Sequence, residues 1–245
     1  MDKNLLSRLR KQIEWRSVVK VLLPALLLLW VWRQEFALVP ILSYFAALAW
    51  GYLTESQERK QFRASFWLLA LTALAGLSMA AGSAPMTLAL VASFVVGLGL
   101  QFAFFRFVFP DRETAYGLYH LALTLAIFLV FFASSVQWLS LIFAAGSLSL
   151  LMREYFTVTG TPWKMRTALM GLGIGFLLSE VALITRMLPL GAVNAAVFMA
   201  LIALLTRDAA RAHFEGRLTL SGVLRGIAIF LFVSVIIFAL SLWRV

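Results

Sequence analysis

Residues 222–243 read GVLRGIAIFLFVSVIIFALSLW, 22 residues in which Arg225 is the one charge. A helix rises about 1.5 Å per residue, so this stretch measures roughly 33 Å and can cross a hydrocarbon core of about 30 Å. It does not alternate apolar and polar residues, as a strand of a membrane barrel would. Backbone groups in lipid have no water to bond, so the run must close its hydrogen bonds on itself as a helix. Working back along the chain, similar runs occupy 190–206, 167–188, 136–152, 116–134, 86–108, 65–82, 36–53 and 17–33. The expected fold is an all-α integral membrane protein, a polytopic bundle of nine transmembrane helices.

The whole chain agrees with this reading. Of its 245 residues, 62% are hydrophobic and 13% charged, against about 45–50% and about 25% in a soluble domain. A soluble enzyme, a secreted disulfide scaffold and a disordered tail are excluded. Cysteine is absent and His120 and His213 are the two imidazoles, so no metal and no cofactor is expected. The first apolar run follows a basic segment, as in a secretory signal, but Trp30-Val31-Trp32-Arg33-Gln34-Glu35 comes after it and no small-x-small cleavage site does. It reads as a retained first span. Residues 2–16 place Leu5, Leu6, Leu9 and Ile13 on one face and read as an amphipathic interfacial helix. Residues 17–245 then form a single bundle with no soluble domain.

Lys and Arg placement sets the orientation. With the N-terminus in the cytoplasm, 18 of the 21 Lys and Arg residues fall inside, and Arg33, Arg186 and Arg244 fall outside. The expected topology is N-terminus in and C-terminus out, in a bacterial-type plasma (inner) membrane. The net charge of +10 then lies along the inner rim, suited to anionic inner-leaflet lipids and not to nucleic acid. Trp15, Trp50, Trp67 and Trp163 fall at inner ends of spans, and Trp30, Trp32, Trp138 and Trp243 at outer ends, as interfacial belts. Short outer turns are expected at 33–35, 82–85, 134–136 and 188–190. The connection 206–221 is expected to continue the eighth helix to about Gly216, with Ser221 capping the ninth.

Two places could carry chemistry. Glu180 is the acid that lies well within an expected span, and an intramembrane carboxyl is a functional-site candidate by default. It should face the bundle, with Asn194 of the next span as its first candidate partner, while Arg186 snorkels outward. The second place is the inner side of the fourth and fifth spans, where Gln101, Arg106, Arg112, Tyr116 and His120 gather around the turn Pro110-Asp111-Arg112-Glu113. Arg106 and Arg112 there could meet a lipid phosphate. Small residues point to close helix packing: Gly171, Gly175 and Ser179 on one span, and Ala89, Ser93 and Gly97 on another. Pro24, Pro40 and the Gly171–Gly175 segment are the places where helices could break. The sequence holds no paired intramembrane Asp, no G-x-S-x-G and no P-loop. The expected function is a small transporter, flippase or permease-like protein for a small or lipidic substrate. The alternative is a non-catalytic structural or assembly subunit working with membrane-protein partners. An enzyme acting on a lipid-linked substrate is the least supported reading.

Overall fold

The computed structural model describes residues 15–54, 62–80, 83–104, 112–159 and 164–242. Nine α-helices lie among the described residues: α1 (Trp15–Arg33), α2 (Leu38–Leu53), α3 (Arg63–Ala80), α4 (Ala84–Gly99), α5 (Arg112–Ala133), α6 (Gln137–Val158), α7 (Lys164–Arg186), α8 (Ala192–Phe214) and α9 (Leu220–Leu242). A π-helical turn, Leu100–Phe104, continues α4. Seven of the helices, α3 to α9, are long and apolar enough to cross a membrane, and α2 is a shorter apolar helix of 16 residues. The protein is membrane-embedded. The amphipathic segment expected over 2–16 lies outside the described residues, apart from Trp15 and Arg16, which already belong to α1.

The chain divides into two compact units, Met1–Tyr116 and Gly117–Val245. In the first, α1 packs on α2 and α4, and α3 packs on α4. Leu28, Val31, Tyr44, Leu48, Leu77, Phe94 and Leu98 form the centre of its core. Tyr44 is fully buried and donates its hydroxyl to the Ala70 carbonyl at 3.1 Å. In the second, α6 and α7 make the most extensive pair, and α8 packs on both α7 and α9. Hydroxyls within the helices are satisfied locally: Thr72, Ser93, Thr185 and Thr206 each donate to the carbonyl four residues back. In lipid that local bond removes the need for a distant partner.

Helix ends follow backbone chemistry more than apolarity. α6 was expected to end near 152 but runs to Val158, through Arg153 and Glu154. The apolar run marks the hydrocarbon zone, whereas the helix stops only where Thr159 caps it, its amide and hydroxyl both bonded to the Tyr155 carbonyl at 3.0 and 2.9 Å. α8 ends with Gly216 at φ +66°, its amide bonded to His213 and the Arg217 amide bonded to Ala212. This is the Schellman arrangement, and glycine fills its left-handed position without strain. The cap of α9 is Thr219, not Ser221: the Gly222 amide donates to Thr219 Oγ1 at 3.2 Å. α1 closes with the same arrangement at Glu35 (φ 49°) and Phe36 (φ 64°), both non-glycine. Pro24 and the Gly171–Gly175 segment interrupt no helix, and Pro40 sits in the first turn of α2.

The stripe Gly171, Gly175, Ser179 is the face α7 turns to α6. A Cβ on Gly175 would stand 2.5 Å from the Ser149 amide nitrogen and 2.7 Å from its Cα. One on Gly171 would stand 2.9 Å from the Ser149 carbonyl oxygen. The second stripe behaves differently: Gly97 meets Leu69 of α3, but Ala89 and Ser93 face outward, because α4 packs through Thr87, Val91, Phe94 and Leu98 instead. Backbone cannot move aside as a side chain can. Gly175→Val should therefore destabilise the α6–α7 pair by about 1–3 kcal/mol or more. Gly173→Val, where a Cβ meets nothing within 4 Å, should leave stability nearly unchanged. Thermal unfolding of both variants in detergent checks this, and equal losses would contradict the packing.

Candidate functional site

In the first unit, the start of α3 gathers two of the expected rim residues. Gln101, on the π-helical turn, points Nε2 at Ser65 Oγ at 3.5 Å, the outer limit of a hydrogen bond. Ser65 in turn donates to the Phe62 carbonyl at 3.2 Å. The Phe62 ring lies 5.0 Å from that of Tyr116, which is fully buried. Lys20 of α1 lies over the Phe102 ring at 5.8 Å and reaches the Thr54 carbonyl at 3.4 Å. Arg106 and the side chain of Arg112 lie outside the described residues. The rim therefore shows an aromatic and amide cluster.

His120 belongs to the second unit, in a constellation sequence reading did not anticipate. Its imidazole is buried, hydrogen-bonds the backbone of Leu151, and lies 5.0 Å from the Tyr155 ring. The Arg207 guanidinium lies 4.5 Å above that Tyr155 ring, with its side chain 8% exposed. Its Nη1 donates to the Gly117 carbonyl at 3.2 Å, and Nε and Nη2 both reach Asp208 Oδ1 at 2.8 Å. Glu154, next to Tyr155, is buried as well. Arg207 thus ties α8 to α5 through the Gly117 carbonyl and to α6 through the Tyr155 ring, while Asp208 of its own helix takes the remaining donors. Arg207, Tyr155 and Glu154 were missed because they lie just past the apolar runs ending at 206 and 152, in turns that look like interface. The usable signal was helix period: Arg207, Ala210 and Ala203 share one buried face of α8.

Glu180 lies on the opposite side of α7 from the glycine stripe. Ile174, Gly175, Leu178, Ser179 and Ala182 are buried, whereas Leu172, Phe176, Leu177, Glu180 and Ile184 are exposed. The expectation that Glu180 faces the bundle is corrected. The close α6 contact fixes the rotation of α7, and Glu180 stands about 100° beyond Ser179 around the axis. Among the described residues no hydrogen bond or ion pair reaches its carboxyl. Asn194 is engaged elsewhere: its Nδ2 donates to Ser241 Oγ of α9 at 2.7 Å. Arg186 does not snorkel free, since Nη2 donates to the Ser134 carbonyl at 2.7 Å and its guanidinium lies 5.6 Å from the Phe131 ring. It thereby satisfies a carbonyl beyond the C-terminal end of α5.

Two outcomes follow from these contacts. Arg207→Ala should cost about 1–3 kcal/mol in thermal unfolding, because it removes the hydrogen bond to the Gly117 carbonyl and the contact over the Tyr155 ring that join α8 to α5 and α6. A loss within the scatter of surface substitutions would contradict the bracing role of Arg207. At the end of α8, Glu215 accepts from Arg211 Nε at 2.8 Å and lies 3.2 Å from Arg217 Nη2. The Arg211 hydrogen bond holds its carboxyl below the usual glutamate range. A depressed folded-state value stabilises the turn at pH above the ordinary glutamate range, and the contribution declines from there and is gone once pH falls through the depressed value. Amide exchange at Gly216 and Arg217, corrected for intrinsic rate, should accelerate below a pH of about 4, and Glu215→Gln should remove that acceleration. Comparison with protein-family models, curated proteins and solved structures gives no match.

Proposed function

We propose that this protein is a non-catalytic membrane subunit that assembles with other membrane helices through the outward face of α7. The observation that carries this reading is Glu180, exposed in the middle of an apolar helix surface. An ionisable group at that depth is costly in lipid and cheaper against a hydrogen-bonding protein partner. The braces within the units also support it. Asn194 is used on Ser241, Arg207 on Asp208 and Gly117, and Arg186 on Ser134. Those groups are used within their own unit, whereas Glu180 is turned outward.

In this reading all nine helices span the membrane. The N-terminus is cytoplasmic and the C-terminus outside, in a bacterial-type plasma membrane whose anionic lipids meet the basic inner rim. A small transporter or flippase is the second reading. The π-helical turn Leu100–Phe104 favours it, since such turns often mark functional sites and Gln101 sits on this one.

Gentle solubilisation of native membranes followed by sizing on native gels tests the assembly reading. The wild-type chain should migrate in a complex larger than its monomer, and Glu180→Leu should shift most of it to a smaller species. An unchanged complex would remove the reading. Reporter fusions at residues 60, 160 and 212 should read cytoplasmic and one after Val245 external; a cytoplasmic reading at Val245 would remove one span.

A further inference from the structure

Threonines in the middle of these helices satisfy themselves locally. Thr72, Thr157, Thr185 and Thr206 each donate to the carbonyl four residues back. Thr124 of α5 departs from this. It is 1% exposed, and its Oγ1 has no hydrogen-bond partner among the described residues. Thr124 lies nine residues before Ala133, about 14 Å from the turn that joins α5 to α6. That is near the middle of a hydrocarbon core of about 30 Å, where a hydroxyl turned from its own helix needs another partner.

The facing helix supplies half of one. The His120 imidazole of α5 hydrogen-bonds the backbone of Leu151 of α6. The two helices run antiparallel through the turn Ser134-Ser135-Val136. Thr124 is four residues beyond His120 and Ser147 four before Leu151, so the two hydroxyls lie at one height. Ser147 also faces the right way. It shares a stripe of α6 with Leu151 and Tyr155, and the Tyr155 ring lies 5.0 Å from that of His120. Ser149, which meets Gly175 of α7, stands about 200° around the helix from Ser147. Ser147 is 4% exposed, and among the described residues no hydrogen bond reaches it.

The two hydroxyls do not bond each other, since Thr124 Oγ1 meets no partner. Spacing is the reason. The backbones of α5 and α6 do not approach as those of α6 and α7 do. One turn away the rings of His120 and Tyr155 span that distance; at Thr124 and Ser147 two short side chains face it. We propose that an ordered water molecule sits there, in the middle of the membrane, bridging Thr124 Oγ1 and Ser147 Oγ. A buried water makes about three hydrogen bonds. The two hydroxyls give two, and the carbonyl one turn behind either of them keeps a second lone pair for the third. The bridge is independent of the assembly reading, because it lies within the second unit.

Water-edited solid-state NMR on the labelled full chain in phosphatidylethanolamine–phosphatidylglycerol bilayers tests it, since polarisation passes only from water protons to side chains beside them. Thr124 and Ser147 should gain signal at short transfer times. Thr72 should stay dark: it is as deep in α3, 5% exposed, and bonded to its own helix. Ser147→Ala should abolish the transfer at Thr124, and Thr124→Val, which keeps the side-chain shape, should abolish it at Ser147. Unchanged signals from the other helices would verify that each variant folds, and the wild-type spectrum decides the matter alone if one does not. Thr124 and Ser147 as dark as Thr72 would overturn the bridge, as would Thr72 lighting up equally, or a Thr124 signal indifferent to Ser147→Ala.

Discussion

A polar group at hydrocarbon depth has no water to bond, and each one left alone there costs several kcal/mol. This protein meets that constraint first with its backbone, by running nine helices through the described residues. It meets it again with its hydroxyls, returned to carbonyls of their own helices, and with its longer side chains, joined in pairs. Asn194 holds Ser241, Arg186 holds Ser134, and Arg207 holds the Gly117 carbonyl. These bonds orient the helices, because a helix that rotated would strand its polar partner. Glu180 stands outside that scheme, which is why it is the residue most informative about what lies beyond the chain.

Backbone proximity fixes which faces those bonds can serve. Gly171 and Gly175 let α7 approach α6 until the Ser149 backbone fills the space a Cβ would need. That contact turns Ser179 inward and Glu180 outward, overriding the preference of a polar group for protein surroundings. Exposed apolar surface alone would mean little, since lipid is the ordinary cover for a membrane helix. In α9 only 11% of the spanning window is buried, and its one charge, the exposed Arg225, lies near the start of the helix.

Much of the fold was legible in the residues because hydropathy and lipid leave few choices. The nine apolar runs each became a helix, and the turns at Arg33-Gln34-Glu35, Ser134-Ser135-Val136 and Leu188-Pro189-Leu190 fall between helices. Helix ends were less legible. Apolarity stops at the membrane surface, but α6 and α8 continue until Thr159 and Gly216 close them. The small stripe on α7 was readable since glycine at every fourth residue has few other uses in a span. The similar stripe on α4 misled, because Ala89 and Ser93 are small without being packed. The Arg207–Tyr155–His120 cluster escaped notice because its members come from three helices and sit where charges usually meet headgroups. The orientation of Glu180 was misjudged for a related reason. The rule that polar groups face inward gives way here to the backbone contact of Gly171 and Gly175 with α6, which fixes the rotation of the helix.

The central claim is that α7 turns its glycine stripe to α6 and its Glu180 stripe away from α6. A nitroxide scan measures this directly, with single cysteines placed in turn at residues 172 to 187 and the protein diluted in lipid vesicles. Collisions with molecular oxygen should peak at Leu172, Phe176, Glu180 and Ile184 and fall to a minimum at Ile174, Gly175, Leu178 and Ala182. A profile of opposite phase, with oxygen reaching Ile174 and Leu178 while Glu180 is shielded, would contradict the account.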